Sequence, residues 1–172
     1  MGKRLTNIQK CIRTQDIEEV GDRRHTTFFE MLGAWSLGDY FKESIIPWTF
    51  EFFTTVLGFE PARLYISVFQ GDETVPMDNE SVQIWQGLFK DSGIEARLAP
   101  PGTPNVADGY RIFQYGKDKN WWGPVGVSGP CGPDTEVFYD SGLPHNPAFG
   151  AACHPNCDCG RFIEIGNDVF IE

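Results

Sequence analysis

Cys153-His154-Pro155-Asn156-Cys157-Asp158-Cys159 places three thiols and an imidazole in one short loop. Thiolate sulfur and imidazole nitrogen are donors that suit Zn2+, so the C-H-x-x-C-x-C pattern fits a structural zinc site. Cys153, Cys157 and Cys159 are the first choices as ligands. His154, His145 or Cys131 could supply the fourth. Neighbouring Cys153 and His154 are awkward ligands together, which keeps the more distant donors in play. Reduced and merely buried thiols are the other reading. The chain holds 5 cysteines, an odd number, and Met1-Gly2-Lys3-Arg4-Leu5-Thr6 is too polar for a secretory signal. A metal site or free thiols therefore rank ahead of a disulfide framework.

Charge narrows the partners. Lys and Arg number 14 against 24 Asp and Glu, a formal net charge of -10. That balance counts against non-specific nucleic-acid binding, which needs a basic surface to neutralise phosphates, but it leaves room for a local basic pocket. No window approaches the ~18 consecutive apolar residues of a membrane span. Gly2 followed by Thr6 is a weak fit to an N-myristoylation pattern, with nothing else resembling an anchor. The expectation is a cytoplasmic protein with no membrane partner.

The elements that must position these residues follow from periodicity. At 172 residues the chain has the size of one ordinary domain. Ile8 to Arg13 and Thr26 to Met31 read as an antiparallel pair of strands joined by the polar loop Thr14 to His25. Phe41, Ile45, Trp48, Phe52 and Val56 make one apolar helical stripe, with Asp39 as N-cap, Gly58 as stop and a kink at Pro47. Arg63 to Phe69 alternates as a strand. Asp78 to Lys90 reads as a second helix with Val82, Trp85, Leu88 and Phe89 inward and Gly93 beyond its end. Ala99 to Asn105 is a loop, and Tyr110 to Tyr115 a strand. Lys117 to Pro133 is rich in Gly and Pro yet carries Trp121 and Trp122, so it reads as a structured loop. Thr135 to Tyr139 and Arg161 to Ile171 are two more strands, with the cysteine-rich insert at about 145–160 between them. The total is an α+β arrangement of mostly antiparallel strands and two helices.

Three segments go beyond pattern. The first is Gln9-Lys10-Cys11-Ile12-Arg13 with Arg24-His25-Thr26-Thr27-Phe28-Phe29-Glu30-Met31-Leu32-Gly33 and Gly38-Asp39-Tyr40-Phe41-Lys42. The second is Asn120-Trp121-Trp122-Gly123 with Gly129-Pro130-Cys131-Gly132-Pro133-Asp134-Thr135-Glu136. The third is Arg161-Phe162-Ile163-Glu164-Ile165-Gly166-Asn167-Asp168-Val169-Phe170. In this order they resemble motif 2, the loop over the alanine pocket and the late active-site strand of the alanyl-tRNA synthetase family. The resemblance spans nearly the whole chain. It implies a class II synthetase-like antiparallel sheet flanked by helices, with residues 1–172 forming a partial aminoacylation catalytic domain. It also implies an alanine–tRNA ligase chemistry: ATP and L-alanine give alanyl-adenylate, and the alanyl group then passes to tRNA(Ala), with Mg2+ accompanying ATP.

The resemblance assigns roles residue by residue. Arg13 matches the motif 2 arginine that stabilises charge building at the α-phosphate, where a guanidinium can bind two oxygens at once. A surface arginine in a salt bridge is the plainer reading. Phe29 matches the aromatic that supports adenine; Phe28, its neighbour on the strand, faces the other side. Thr26 stands where the family usually carries an ATP-contacting histidine, and His25 is adjacent to it. Trp122 matches the wall of the alanine pocket and Asn167 an asparagine that binds alanine. Ile165 and Gly166 flank the nucleotide, with Gly166 where the family usually has tryptophan. The resemblance further implies that motif 1, motif 3 and the tRNA-reading, editing and oligomerisation domains lie outside the chain. Its partner would then be the remainder of a synthetase or a second copy, and the core would be incomplete alone. Two other readings remain: a stand-alone paralogue that binds ATP or an adenylate without charging tRNA, and a zinc-stabilised interaction module.

Overall fold

Strand β1 (Arg4–Ile12) pairs antiparallel with β2 (Phe28–Ser36), in a register running from Arg4 opposite Ser36 to Ile12 opposite Phe28. The structure is a computed structural model that describes residues 2–22, 25–102 and 104–171, with the backbone alone at 15 and 16. Arg24 of the motif-like run and Thr103 of the Pro-rich loop lie outside the described residues. The chain divides into two units, residues 1–41 and residues 42–172. The hairpin belongs to the first. Both strands are longer than the sequence pattern predicts, because the backbone ladder also takes in Arg4 to Asn7 on one strand and Leu32 to Ser36 on the other. Ile8, Ile12, Phe28 and Leu32 share one face by register, and all four are exposed. Asp39 does not cap a helix; its carboxylate pairs with the guanidinium of Arg4.

The second unit opens with helix α1 (Lys42–Glu51), whose last turn continues as a wider π-type turn over Phe52–Val56. Pro47 lies inside α1. The buried stripe is Ile46, Phe50 and Phe53, while Phe41, Trp48 and Val56 are exposed. The predicted stripe is thus rotated. A helix apolar on most of its circumference does not set its own phase; the surface it packs against does. Here Phe50 lies edge-on to Trp85 at 6.3 Å and to Phe89 at 5.6 Å between ring centres.

Helix α2 (Asn79–Asp91) behaves as its sequence requires. Asp78 caps it, accepting from the backbone N–H of Ser81 at 3.1 Å and the hydroxyl of Ser81 at 2.6 Å. Lys42 Nζ sits 2.7 Å from the same carboxylate. Val82, Trp85 and Phe89 are buried, Leu88 partly. Gly93, at φ 75°, takes the left-handed turn that ends the helix.

Six strands form the sheet of this unit. They are β3 (Leu64–Phe69), β4 (Arg97–Leu98), β5 (Tyr110–Tyr115), β6 (Trp121–Trp122), β7 (Gly132–Asp140) and β8 (Phe162–Val169). The order is β4-β5-β3-β7-β6, with β8 also paired to β7. β3–β7, β6–β7 and β7–β8 are antiparallel; β3–β5 and β4–β5 are parallel. The parallel pairing is made possible by α2, which crosses over between β3 and β5. Trp121 and Trp122, predicted in a loop, form β6 against the start of β7.

β3 is buried along its whole length because both faces are covered. Leu64, Ile66 and Val68 meet Ile46, Phe50, Val82, Trp85 and Phe89 from the helices. Tyr65 faces a second cluster with Phe113, Phe138, Phe162 and Cys153. The buried indole N–H of Trp85 donates to Thr135 Oγ1 at 2.9 Å, and that hydroxyl donates to the Ser67 carbonyl at 2.8 Å. The pair ties α2 to the two central strands without leaving a polar group unpaired. No helix among the described residues is long and apolar enough to cross a membrane.

Gly132 is where β7 passes closest to the chain after β8: a β-carbon there would run into the carbonyl oxygen of Phe170. Gly132→Ala is expected to lower unfolding stability by about 1–3 kcal/mol, the usual range for overpacking. Urea denaturation measures it, and an unchanged midpoint would show that this crossing gives way freely.

Candidate active site

In the hairpin, the Arg13 guanidinium lies over the Phe29 ring, 5.1 Å from its centre. Strand alternation explains the contact. Arg13 follows Ile12, its N–H bonds to the Thr27 carbonyl at 2.8 Å, and it therefore shares a face with Phe29 rather than Phe28. Phe29 is half-buried and Phe28 exposed. His25 takes two acidic neighbours, with Nδ1 2.7 Å from Asp22 and Nε2 3.1 Å from Glu19. Thr26 is exposed beside it. The structure thus joins Arg13 to Phe29 and turns the His25 ring toward carboxylates.

The remaining residues singled out in the sequence lie on β6 and β8. Trp122 pairs with Gly132 and is 37% exposed, while Trp121 packs on Phe69 at 5.4 Å between ring centres. Asn167 stands opposite Glu136 and is exposed. Its neighbour Gly166 faces the other side: a β-carbon there would be 3.0 Å from the Phe53 ring. Ile165, at a register shift in β8, packs with the helix-side core. Asn167 and the Ile165–Gly166 pair therefore do not meet through side chains on one face. Gly166 leaves room, and Phe53 fills it.

Between these elements lies a buried polar cluster that sequence reading missed. Ser67 Oγ donates to Glu136 at 2.6 Å, and Asn120 Nδ2 donates to Ser67 at 2.8 Å and to Asp134 at 3.1 Å. Ser67 and Asn120 are fully buried, and Asp134 and Glu136 nearly so. Among the described residues, the buried Asn120 amide oxygen has no hydrogen-bond partner. Burial, with the charge of Glu164 next, pushes the Glu136 carboxyl up to about 8. Burial likewise pushes Asp134 up to about 7, against the lowering effect of Asn120. A signal existed: a lone serine in the apolar run of β3, and two carboxylates at alternate positions of β7, hence on one face.

In the cysteine insert, Cys157 and Cys159 gather with His145, one of the fourth donors that the sequence left open. Cys153 and Cys159 sulfurs are 4.0 Å apart, and Cys157 sulfur is 3.8 Å from His145 Nδ1. His145, Cys157 and Cys159 offer donor atoms all within 4.8 Å of one another. His154 points elsewhere, its Nδ1 3.0 Å from the Tyr115 hydroxyl. Cys153 and His154 thus make different contacts, one with Cys159 and the other with Tyr115. Cys131 precedes β7 and borders Gly123. Burial raises the Cys159 thiol, but the His145 contact and two backbone N–H groups outweigh it and bring it down to about 7. Burial pushes the Cys153 thiol up to about 12.

The sequence matches the family described as tRNA synthetases class II (A) over residues 1–172. It is 49% identical over 175 residues to an alanine–tRNA ligase of Treponema denticola, covering 99% of this chain and 26% of that protein. An alanine–tRNA ligase of Treponema pallidum is 50% identical over 173 residues, with 99% of this chain and 25% of that protein covered. One from Borrelia hermsii is 45% identical over 173 residues, with 99% and 26% covered. The chain spans about a quarter of the length of these relatives.

The raised carboxyls give stability a pH dependence with a definite sign. Both groups ionise in the unfolded chain near pH 4, but in the folded protein only near 7 and 8. Their favourable contribution is fully present below pH 4 and is lost as pH rises toward 8. Glu136→Gln keeps an acceptor for Ser67 and removes one ionisation. The expected outcome is a shallower fall in melting temperature between about pH 5 and 8 than in the unsubstituted chain. Parallel profiles would mean that Glu136 ionises normally.

Proposed function

The chain belongs to the class II (A) tRNA synthetases, and from that premise we propose that it supplies part of the alanine-activating core of an alanine–tRNA ligase. The observation that carries this reading is the near-50% identity to alanine–tRNA ligases along the whole chain. In the proposed reaction the alanine carboxylate attacks the α-phosphorus of ATP and pyrophosphate leaves. The 3′-terminal hydroxyl of tRNA(Ala) then attacks the alanyl carbonyl and AMP leaves. Mg2+ enters with ATP as part of the substrate. The rest of a synthetase, or a second copy of the chain, completes the core.

Arg13 is the group that meets the α-phosphate. Negative charge grows on its oxygens as the carboxylate attacks, and a guanidinium fixed in advance stabilises that charge more than the ground state. Phe29 supports this role because its ring face holds the guanidinium by cation–π attraction and restricts where it can point. The same aromatic is the proposed platform for adenine. His25 and Thr26 border the phosphates, with the His25 ring held between Asp22 and Glu19.

Trp122 and Asn167 handle the amino acid. A tryptophan wall admits a methyl group and excludes larger side chains by overlap. Discrimination against glycine or serine is intrinsically weaker, since one methylene is worth only about 1–3 kcal/mol. Asn167 offers an amide to the alanine, on the strand face that also carries Glu136. Ile165 and Gly166 contribute at the nucleotide through their backbone, since their side-chain positions belong to the helix-side packing.

Arg13→Ala is expected to weaken ATP binding by about 10–100-fold, the worth of a hydrogen bond to a charged group, with an unchanged melting temperature. Arg13→Lys should recover only part of the loss, because an ammonium lacks the planar fork. Calorimetric titration with ATP reads both. Equal affinity in all three proteins would reject the phosphate role. ATP binding without alanine-dependent pyrophosphate exchange would favour a paralogue that binds nucleotide without charging tRNA.

A further inference from the structure

We propose that Cys153, Cys157, Cys159 and His145 together bind one Zn2+, and that His154 does not take part. A tetrahedral zinc with Zn–S distances of ~2.3 Å holds two sulfurs about 3.8 Å apart. The Cys157–His145 separation of 3.8 Å is close to that spacing, and Cys153, outside the three-donor group, reaches it through Cys159 at 4.0 Å. Three sulfurs and one imidazole form a donor set that selects zinc over hard cations such as Mg2+ or Ca2+.

Among the fourth donors that the sequence left open, the hydrogen bonds around the cluster favour His145 over His154. His145 Nε2 lies 2.9 Å from the Gly150 carbonyl. A carbonyl only accepts, so Nε2 carries the proton and Nδ1 presents its lone pair toward Cys157. Metal-bound histidines are oriented this way by a carbonyl on the other nitrogen. His154 instead uses Nδ1 on Tyr115, and its carbonyl accepts from the Cys157 N–H at 2.9 Å, closing the turn that presents that thiol. Cys153 and Cys157 are each 3% exposed. The Cys153 carbonyl is anchored by the Val106 N–H at 2.7 Å. Cys153 also belongs to the apolar cluster of Tyr65, Phe113, Phe138 and Phe162. Zinc would therefore close residues 145–159 into a ring on the sheet face opposite the helices. The site is separate from the alanine-activating reading and does not depend on it.

The test is metal analysis of the whole chain, purified under reducing conditions with zinc supplied, then freed of loose metal by dialysis. One zinc per chain is expected. Cobalt reconstitution should give the intense visible bands of a tetrahedral site together with thiolate-to-cobalt charge transfer in the near ultraviolet. His145→Ala and Cys157→Ser should lose most of the metal, while His154→Ala keeps it. If Cys157→Ser does not fold, the histidine pair and the cobalt spectrum still decide. Absence of stoichiometric zinc in the unsubstituted chain would overturn the proposal. So would an octahedral cobalt spectrum, or zinc retained by His145→Ala and lost by His154→Ala.

Discussion

Strand β7 alternates side chains with a two-residue period, and that alternation decides which chemistry lies on which side of the sheet. Thr135 and Val137 turn toward the helices, where Thr135 satisfies the buried Trp85 indole and Val137 joins the apolar core. Asp134, Glu136 and Phe138 turn the other way, to Asn120, Ser67 and Phe162. The strand borders β3, β6 and β8, so a one-residue slip would exchange the two sets for all its neighbours at once. Buried carboxylates would then face Phe89 and Trp85, and the indole would lose its acceptor. Register here is fixed from both faces.

The same alternation separates scaffold from candidate ligand groups on β8. Asn167 stands opposite Glu136, while Gly166 stands opposite Val137 and receives the Phe53 ring. In the hairpin, alternation selects Phe29 over Phe28 as the partner of Arg13. These are consequences of backbone geometry. They hold whatever the ligand, and they determine which substitutions reach the proposed chemistry and which disturb packing alone.

How much was legible in the sequence varied with how local the cause was. Helix α2 was readable because its cap, its apolar stripe and its terminating glycine all lie within one short segment. The phase of α1 was not, because Ile45, Ile46, Trp48, Phe50, Phe52 and Phe53 leave almost no polar face, and Trp85 and Phe89 from elsewhere choose which side is buried. The Ser67–Asn120–Glu136 cluster draws on three distant stretches of chain, and no window contains it. The fourth metal donor was left open in the sequence among His154, His145 and Cys131, for the opposite reason. His154 is adjacent to Cys153 in sequence but its ring meets Tyr115, whereas His145, eight residues before Cys153, lies beside Cys157.

The proposed role in alanine activation assigns Arg13 and Phe29 of the hairpin to the nucleotide and Trp122 and Asn167 of the second unit to the amino acid. Its most direct test is titration of isotope-labelled chain with a non-hydrolysable alanyl-adenylate analogue, followed by nuclear magnetic resonance. The account predicts saturable shifts at the side-chain signals of Arg13, Trp122 and Asn167, with the Trp85 indole unmoved. Shifts centred on Trp85 and the helix-side core, or no shifts under conditions where the chain is folded, would contradict it.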